Sequence, residues 1–122
     1  MVHIRTEFYP FRLVMARREP VQLSVDLVND GKEVRSYSIE IEVGHGLAIG
    51  NAGAKLREYR LLGNILPGEK KKVYYDLFAK AATDESTIPL DLRVHEHPKD
   101  SKTVHDVIRT VTRKLELGVQ VK

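Results

Sequence analysis

The feature that most constrains the fold is an alternation of apolar and polar residues with a period of two. It is clearest in residues 21–27, VQLSVDL, where every second residue is Val or Leu. Side chains of a β-strand point alternately to opposite faces, so this segment predicts a strand with one buried and one exposed face. The same alternation returns in residues 38–43, 72–77, 88–94 and 115–121.

Turn residues separate these predicted strands. Asn29-Asp30-Gly31 and Pro67-Gly68 combine residues that tolerate positive φ or fix φ for a turn. Each strand buries one face, and the sequence contains no convincing amphipathic helix to cover it. Two sheets that face each other are the simplest solution. The prediction is therefore an all-β fold, a single immunoglobulin-like antiparallel β-sandwich of about seven strands over residues 1–122.

The alternation also assigns the core, because the apolar residues of each strand share one face. A chain of 122 residues suits one such core, since domains typically have about 100–150 residues. The residues predicted to be mostly buried are Leu23, Val25, Leu27, Ile39, Ile41, Val73, Tyr75, Leu77, Leu90, Leu92 and Leu117.

Two segments carry signals for both helix and strand. In residues 56–66, Leu56, Tyr59 and Leu62 have helical spacing, and Gly63 stands where a helix would end. We interpret this segment as strand, with a short helix as the alternative. In residues 103–121 an apolar helical stripe competes with β-branched residues, which occupy seven of the ten positions 103–112. Because β-branched residues favour extended backbone, we interpret 103–121 as strand.

Composition excludes several classes of protein. The chain has no cysteine, which removes disulfides, thiolate nucleophiles and cysteine-bound zinc. Its apolar runs are far shorter than the ~18–20 residues of a membrane span, and its N-terminus, MVHIRTE, lacks the apolar core of a secretory signal. We expect a cytoplasmic protein, or an extracellular one if this is a fragment of a larger surface protein. The charged fraction of 30% is typical of heat-adapted proteins.

The order of strands and turns resembles a known class of domain. One strand ends in Asn29-Asp30-Gly31, and the next leads to Gly46-Leu47-Ala48-Ile49. Leu66-Pro67-Gly68-Glu69 and Ile88-Pro89-Leu90 each introduce another strand. Over residues 20–120 the pattern resembles immunoglobulin-like modules of archaeal and bacterial surface proteins. These are S-layer-associated domains, the cell-adhesion-related domain found in bacteria and, more distantly, the appendage domains of adaptins. The resemblance implies a β-sandwich without catalytic residues.

A lysine cluster is the candidate binding site. The chain has a net charge of +3, and its densest basic run, residues 70–72, is followed by two tyrosines. Alternate residues of a strand share a face, so Lys70, Lys72 and Tyr74 are predicted to lie together on an exposed face. Such a face suits a phosphate group or an acidic partner. The alternative is a solvated strand start, at which lysines discourage pairing with the edge of another sheet. We prefer this interpretation to nucleic-acid binding.

The segment His95-Glu96-His97 has metal-ligand spacing. On a strand the two imidazoles share a face, and they can bind one zinc ion if His105 or Asp106 supplies a third ligand. The alternative is a polar strand end that leads into the turn at Pro98. We prefer this alternative, because zinc sites need three or four converging ligands. The prediction is no metal and no cofactor.

The sequence also lacks catalytic motifs such as a nucleophile elbow or a metalloprotease motif. Carboxylates such as Glu40, Glu42 and Asp91 fall at outward strand positions. We predict a non-enzymatic protein–protein interaction or structural module that docks through a sheet edge or face. One alternative is a binder of nucleic acid or another anionic ligand through Lys70–Lys72. The other is a metal-dependent enzyme at the histidine pair.

The C-terminal segment predicts an assembly. Nineteen extended residues, 103–121, would span ~60 Å at ~3.3 Å each, whereas most strands have ~5–6 residues. Either the segment bends near residues 109–113 and crosses between sheets, or it projects and pairs with a second copy. We expect a two-fold homodimer through this strand, together with an unidentified protein partner and no membrane contact.

Overall fold

The computed structural model describes residues 2–17, 19–50, 55–80, 85–102 and 105–120. They form nine β-strands and one short 3-10 helix, Met15–Arg17. The strands are β1 (Val2–Tyr9), β2 (Arg12–Val14), β3 (Val21–Asn29), β4 (Arg35–Val43), β5 (Leu47–Ile49), β6 (Arg57–Ile65), β7 (Lys70–Ala79), β8 (Ser86–His97) and β9 (Arg109–Gln120). No helix in these ranges is long and apolar enough to cross a membrane.

The strands form two sheets that pack face to face. One sheet has the order β1-β3-β7-β5 and the other the order β2-β9-β8-β4-β6. Neighbouring strands are antiparallel except β2 and β9, which pair in parallel over three residues. This arrangement confirms the predicted all-β immunoglobulin-like sandwich. The described ranges contain nine strands rather than about seven, and β2 and β5 have only three residues each, too few to show alternation.

The core lies between the two sheets, where the inward-facing rows of β3, β7, β4 and β8 meet. All eleven residues that the alternation assigns to the core are buried, with exposed fractions of 5% or less. The apolar faces predicted from the sequence are therefore confirmed. The long row on β3 is buried at every second position from Val21 to Asn29, because β3 lies between β1 and β7 in its sheet.

A β-bulge explains the ambiguous segment 56–66, which is the strand β6, as predicted. The register of β6 against β4 shifts between Tyr37 and Ser38, whose partners are Gly63 and Leu61. Leu62 is the extra residue of the bulge, and Gly63 adopts a φ of +83°, which glycine tolerates. An inserted residue changes the phase of the side-chain alternation, so part of β6 acquires spacing that resembles a helix.

The C-terminal strand is shorter than predicted. β9 begins at Arg109, and residues 105–108 are not strand; positions 103, 104 and 121 lie outside the described residues. The partner strand sets this limit, because β8 ends at His97 and Pro98 follows. The Ile108 amide donates to the Glu96 carbonyl at 2.7 Å, close to the first register pair between Glu96 and Arg109.

The connection between β1 and β2 crosses from one sheet to the other. Only Pro10 and Phe11 separate Tyr9 from Arg12. Three peptide units reach at most about 11 Å, which is close to the ~10 Å distance between packed sheets. The β1 edge of the four-stranded sheet and the β2–β9 edge of the five-stranded sheet therefore lie on the same side of the sandwich.

Candidate functional site

The last strand is paired unevenly along its two sides. On one side β9 pairs with β8 without a break from Arg109 to Val119. On the other side β2 pairs only with Gly118–Gln120, and no further strand of the described ranges lies there. Residues 109–117 therefore form an unpaired stretch at the edge of the five-stranded sheet, which we call the open edge.

The hydrogen-bond pattern shows which backbone groups point outwards. A strand in an antiparallel sheet directs the N–H and C=O groups of successive residues alternately to its two sides. The Gly44 amide donates to the Pro89 carbonyl at 2.8 Å, so odd-numbered residues of β8 bond to β4 and even-numbered ones to β9. Leu92 is opposite Arg113, so odd-numbered residues of β9 bond to β8. The residues whose backbone groups point away from the sheet are Thr110, Thr112, Lys114 and Glu116.

A strip of partly buried apolar side chains lies beside the open edge. The inward-facing side chains of β1 are only partly buried, whereas those of the neighbouring strand β3 are buried at every position. On β9, two inward-facing apolar side chains are also partly buried. We call this set the apolar strip: Val2, Ile4, Phe8, Val111 and Leu115. The core is therefore incompletely covered on the side of the sandwich where the open edge lies.

Cations dominate the open edge. Arg109, Arg113 and Lys114 are positively charged, and Glu116 is the one acidic residue in positions 109–117, so the net formal charge is +2. All four side chains are exposed. The Lys114 ammonium lies 3.7 Å from the Asp91 carboxylate, and exposed ion pairs of this kind stabilise a protein little. The open edge thus combines outward backbone groups with excess positive charge.

His97 is held by protein groups on the outer face of the five-stranded sheet, where it is fully buried. Its Nδ1 lies 2.8 Å from the Asp106 carbonyl oxygen, and its Nε2 lies 2.7 Å from Ser38 Oγ. Because a carbonyl oxygen only accepts, Nδ1 carries a proton, and in the neutral ring Nε2 accepts from the Ser38 hydroxyl. The Tyr59 hydroxyl, 2.5 Å from Ser38 Oγ, extends this chain.

His95 lies on the same face, but its ring meets other groups. Its Nδ1 lies 2.8 Å from Thr110 Oγ1, and its Nε2 lies 3.6 Å from a Glu40 carboxylate oxygen. Asp106 approaches the pair with its backbone carbonyl, and His105 is exposed. Within the described ranges, no three His, Asp or Glu side chains are placed to hold a metal ion. The geometry therefore favours the polar strand end over the zinc site.

Removing divalent metals will leave the thermal unfolding of the purified protein unchanged, because both nitrogens of His97 are already hydrogen-bonded to protein groups. Differential scanning calorimetry with and without a chelator measures this. The control is the same scan after zinc is added back. A fall in Tm with chelator that zinc restores would show that the histidine pair holds a structural metal.

Glu96, between the two histidines, points to the opposite face and enters the interior. The Tyr37 hydroxyl donates to Glu96 Oε1 at 3.2 Å, and Arg35 Nε lies 3.6 Å from Glu96 Oε2. Burial, reinforced by the Glu96 carboxylate, raises the pKa of Tyr37 far above its usual value, so the phenol stays protonated and donates. Arg35 and Glu96 also line a cleft of about 320 Å³ that includes Lys32 and Arg109.

The lysine cluster lies on the outer face of the four-stranded sheet. Lys70, Lys72 and Tyr74 occupy alternate exposed positions of β7. The two ammonium groups lie 4.0 and 3.7 Å from the Asp26 carboxylate on β3, and the Lys72 ammonium lies 5.9 Å from the centre of the Tyr74 ring. Arg5 is opposite Asp26 on β1. The Asp26 carboxylate therefore offsets part of the positive charge of the lysine cluster.

Comparison with known proteins identifies the fold. No protein-family model matches the chain, and no curated protein does. Among solved structures, the major pilin subunit BcpA of Bacillus cereus has a TM-score of 0.67 at 12% identity, covering 100% of this chain and 41% of its own. AvmM, which catalyses macrocyclization in alchivemycin A biosynthesis, has a TM-score of 0.63 at 7% identity, covering 99% and 89%.

A third similar structure comes from the complex of zinc 2-glycoprotein and prolactin-inducible protein from human seminal plasma. Its TM-score is 0.59 at 11% identity, with coverage of 98% of this chain and 93% of the other. A pilin subunit, a catalyst of macrocyclization and a chain of a two-protein complex thus share this sandwich. At these identities the similarity shows the fold, and function has to be argued from the site.

Proposed function

We propose that this domain is a non-enzymatic protein–protein interaction module that binds an extended segment of a partner by adding it as a strand to the open edge. The observation that carries the proposal is the row of outward backbone groups at alternate residues of 109–117, with no described strand on that side. An added strand would pair these groups and also cover the apolar strip, which removes apolar surface from water.

The other long edge of the same sheet is protected against pairing. β6 contains the bulge at Leu62 and Gly63, and bulges twist an edge away from a new strand. Arg57 of β6 lies 2.7 Å from Glu42 and 3.5 Å from Glu40. This contact holds the pKa of the Glu42 carboxyl below its usual value, so the carboxylate stays charged beside the arginine. The open edge has no bulge in its pairing with β8.

Two known structures support the proposal in its general form. A pilin subunit and a chain of a two-protein complex share this sandwich, and each assembles with other proteins. The sequence resembles immunoglobulin-like modules of archaeal and bacterial surface proteins, and from this resemblance we propose more specifically a role in adhesion or surface assembly. We assign no catalytic step to this domain. The cytoplasmic or extracellular location and the heat adaptation stay predictions from the sequence.

Binding of an anionic ligand at the lysine cluster is the second candidate function. It is favoured by Lys70 and Lys72, whose ammonium groups lie 4.0 and 3.7 Å from the Asp26 carboxylate, and by Arg5 opposite Asp26 on β1, so cations outnumber carboxylates at this point of the face. Such binding to heparin or RNA would weaken steeply with salt. The substitution Lys72→Glu would abolish it and would leave strand addition at the open edge intact.

Thr112→Pro will weaken strand addition and leave the fold intact, because proline removes an N–H that points away from the sheet. The test uses peptides selected against the wild-type domain from a displayed library of nine-residue sequences. We expect at least about a tenfold loss of affinity. Hydrogen exchange gives a second readout, since binding will slow exchange of the outward amides of Thr110, Thr112, Lys114 and Glu116.

Three variants serve as controls for that experiment. Thr112→Val keeps the N–H and the β-branched shape and will bind normally. Val111→Pro removes an N–H that bonds to β8 and will destabilise the domain itself. Thr6→Pro acts on β1, the competing edge on the same side. The Asn29 amide donates to the Glu69 carbonyl, so odd-numbered residues of β3 bond to β7. The N–H of Thr6, opposite Val25, therefore points away from the sheet. Equal binding by wild type and Thr112→Pro, or loss of binding only in Thr6→Pro, would refute docking at the open edge.

A further inference from the structure

We infer that the strand accepted by the open edge is an acidic segment of another protein, bound antiparallel to β9. This inference rests on the proposed function. Its first support is charge, since the open edge carries three cations, Arg109, Arg113 and Lys114, and one carboxylate, Glu116. Opposite charges at directly facing positions stabilise strand pairing, and like charges oppose it. Carboxylates on the incoming strand are therefore preferred at three of its nine positions.

The alternation of β9 determines where those carboxylates and the apolar residues must lie. Val111, Leu115 and Leu117 share the inward face with Arg109 and Arg113. An incoming strand needs apolar side chains opposite Val111, Leu115 and Leu117, where they extend the apolar strip. It needs carboxylates opposite the two arginines. The positions facing Thr110 and Thr112 accept polar residues. The incoming strand is therefore amphipathic as well as acidic.

The long strand pairs of the fold favour the antiparallel direction for the incoming strand. Every long strand pair in the described ranges is antiparallel, and the one parallel pair covers three residues. Antiparallel pairing is also slightly more stable per residue. Read antiparallel to residues 117–109, the complementary sequence is Val-Lys-Val-Glu-Glu-Thr-Val-Thr-Glu. Its lysine faces Glu116, and its three glutamates face Lys114, Arg113 and Arg109.

A second copy of this chain fits the open edge less well. A two-fold axis perpendicular to the sheet pairs β9 with itself, and pairing of all nine residues places the axis at Arg113. The two Arg113 side chains then face each other, and Thr112 faces Lys114. A shift of the axis towards Leu115 would bring one strand against β2, which pairs with Gly118. The homodimer predicted from the sequence is therefore the competing occupant of this edge.

Three synthetic peptides test the inference by fluorescence anisotropy with the full-length domain. The first is the acidic sequence above, labelled at its N-terminus. The second replaces each glutamate by glutamine, and the third exchanges glutamate and lysine throughout. We expect the acidic peptide to bind about tenfold more tightly than the glutamine peptide at low salt, and the charge-exchanged peptide to bind most weakly. Raising the salt concentration will reduce the differences in affinity among the three peptides, because salt screens the charges.

A matched pair of substitutions assigns the charge effect to the open edge. Arg113→Glu will reduce the preference for the acidic peptide, because one of its four facing charge pairs changes from attraction to repulsion. Lys99→Glu, an equal change of charge at an exposed turn, will leave the ratio of the two affinities unchanged. Both side chains are exposed, so neither change removes core packing, and circular dichroism verifies the fold.

The outcomes separate the inference from the proposed function. If the glutamine or charge-exchanged peptide binds as tightly as the acidic one, and Thr112→Pro weakens that binding, strand addition stands and the acidic partner is refuted. If neither designed nor library-selected peptides bind, the proposed function fails. Light scattering tests for a second copy at this edge: a mass of twice 13.9 kDa at micromolar concentration that Thr112→Pro halves would assign the edge to a second copy and refute the inference.

Discussion

Leu27→Ala will lower the free energy of unfolding by ~2–5 kcal/mol. The Leu27 side chain has no exposed surface and lies in the inward row of β3, between β1 and β7. The truncation removes buried methyl groups and leaves a cavity that close-packed neighbours fill only in part. Leu90→Ala on β8 in the opposite sheet will have a similar effect. Urea unfolding followed by circular dichroism measures both changes.

The control for Leu27→Ala is Val28→Ala. Val28 is the next residue of β3, points to the outer face and is only partly buried. Its truncation will cost less than about 1 kcal/mol, because little apolar surface returns to water. If Leu27→Ala and Leu90→Ala each cost less than about 1 kcal/mol, the inward faces assigned to β3 and β8 are wrong.

Asn29→Ala will lower the free energy of unfolding by about 2–4 kcal/mol, because it leaves buried backbone groups without partners. Asn29 is 1% exposed. Its Nδ2 donates to the carbonyls of Glu33 and Ile65, both at 2.8 Å, and its Oδ1 accepts from the Gly31 amide at 2.9 Å. One side chain thus joins the β3–β4 loop to the end of β6.

Asn29→Asp distinguishes the bond that the Asn29 side chain accepts from the two bonds that it donates. The aspartate keeps an acceptor for the Gly31 amide but places a second oxygen against two carbonyl oxygens, so it will also destabilise the domain. Asp30→Ala, at the exposed neighbour, is the control with little expected effect. Thermal and urea unfolding of the three variants measure the differences. Equal stability of Asn29→Ala and wild type would show that water replaces the amide at this position.

Sequence patterns predicted the sandwich well because burial of one strand face leaves a direct trace in the order of residues. They did not predict the role of Asn29. Asn29-Asp30-Gly31 is a turn signal, and the Asn29 side chain does bond to the Gly31 amide as such turns require. The contact with Ile65, 36 residues away, depends on tertiary structure, and no local pattern encodes it.

The open edge was also predictable from the sequence only in part. The β-branched residues after position 103 predicted a strand, but a strand persists only where another strand receives its hydrogen bonds, and β8 ends at His97. The predicted site residues Lys70, Lys72 and Tyr74 do share a face. The open edge itself was not foreseen as residues 109–117, because the position of β2 beside Gly118 could not be read from the sequence. A partial signal was the cationic sequence RTVTRK.

The position of β2 has a consequence for how repeated domains would be arranged. β2 occupies the neighbouring place from Gly118 onwards, so an incoming strand cannot continue beside β9 past Leu117. No strand of the described ranges blocks it beyond Arg109. A bound segment would therefore stop at a fixed point at one end and extend freely at the other. Several copies of this domain on a partner with repeated acidic segments would share one polarity and a constant spacing, set by the repeat length of the partner.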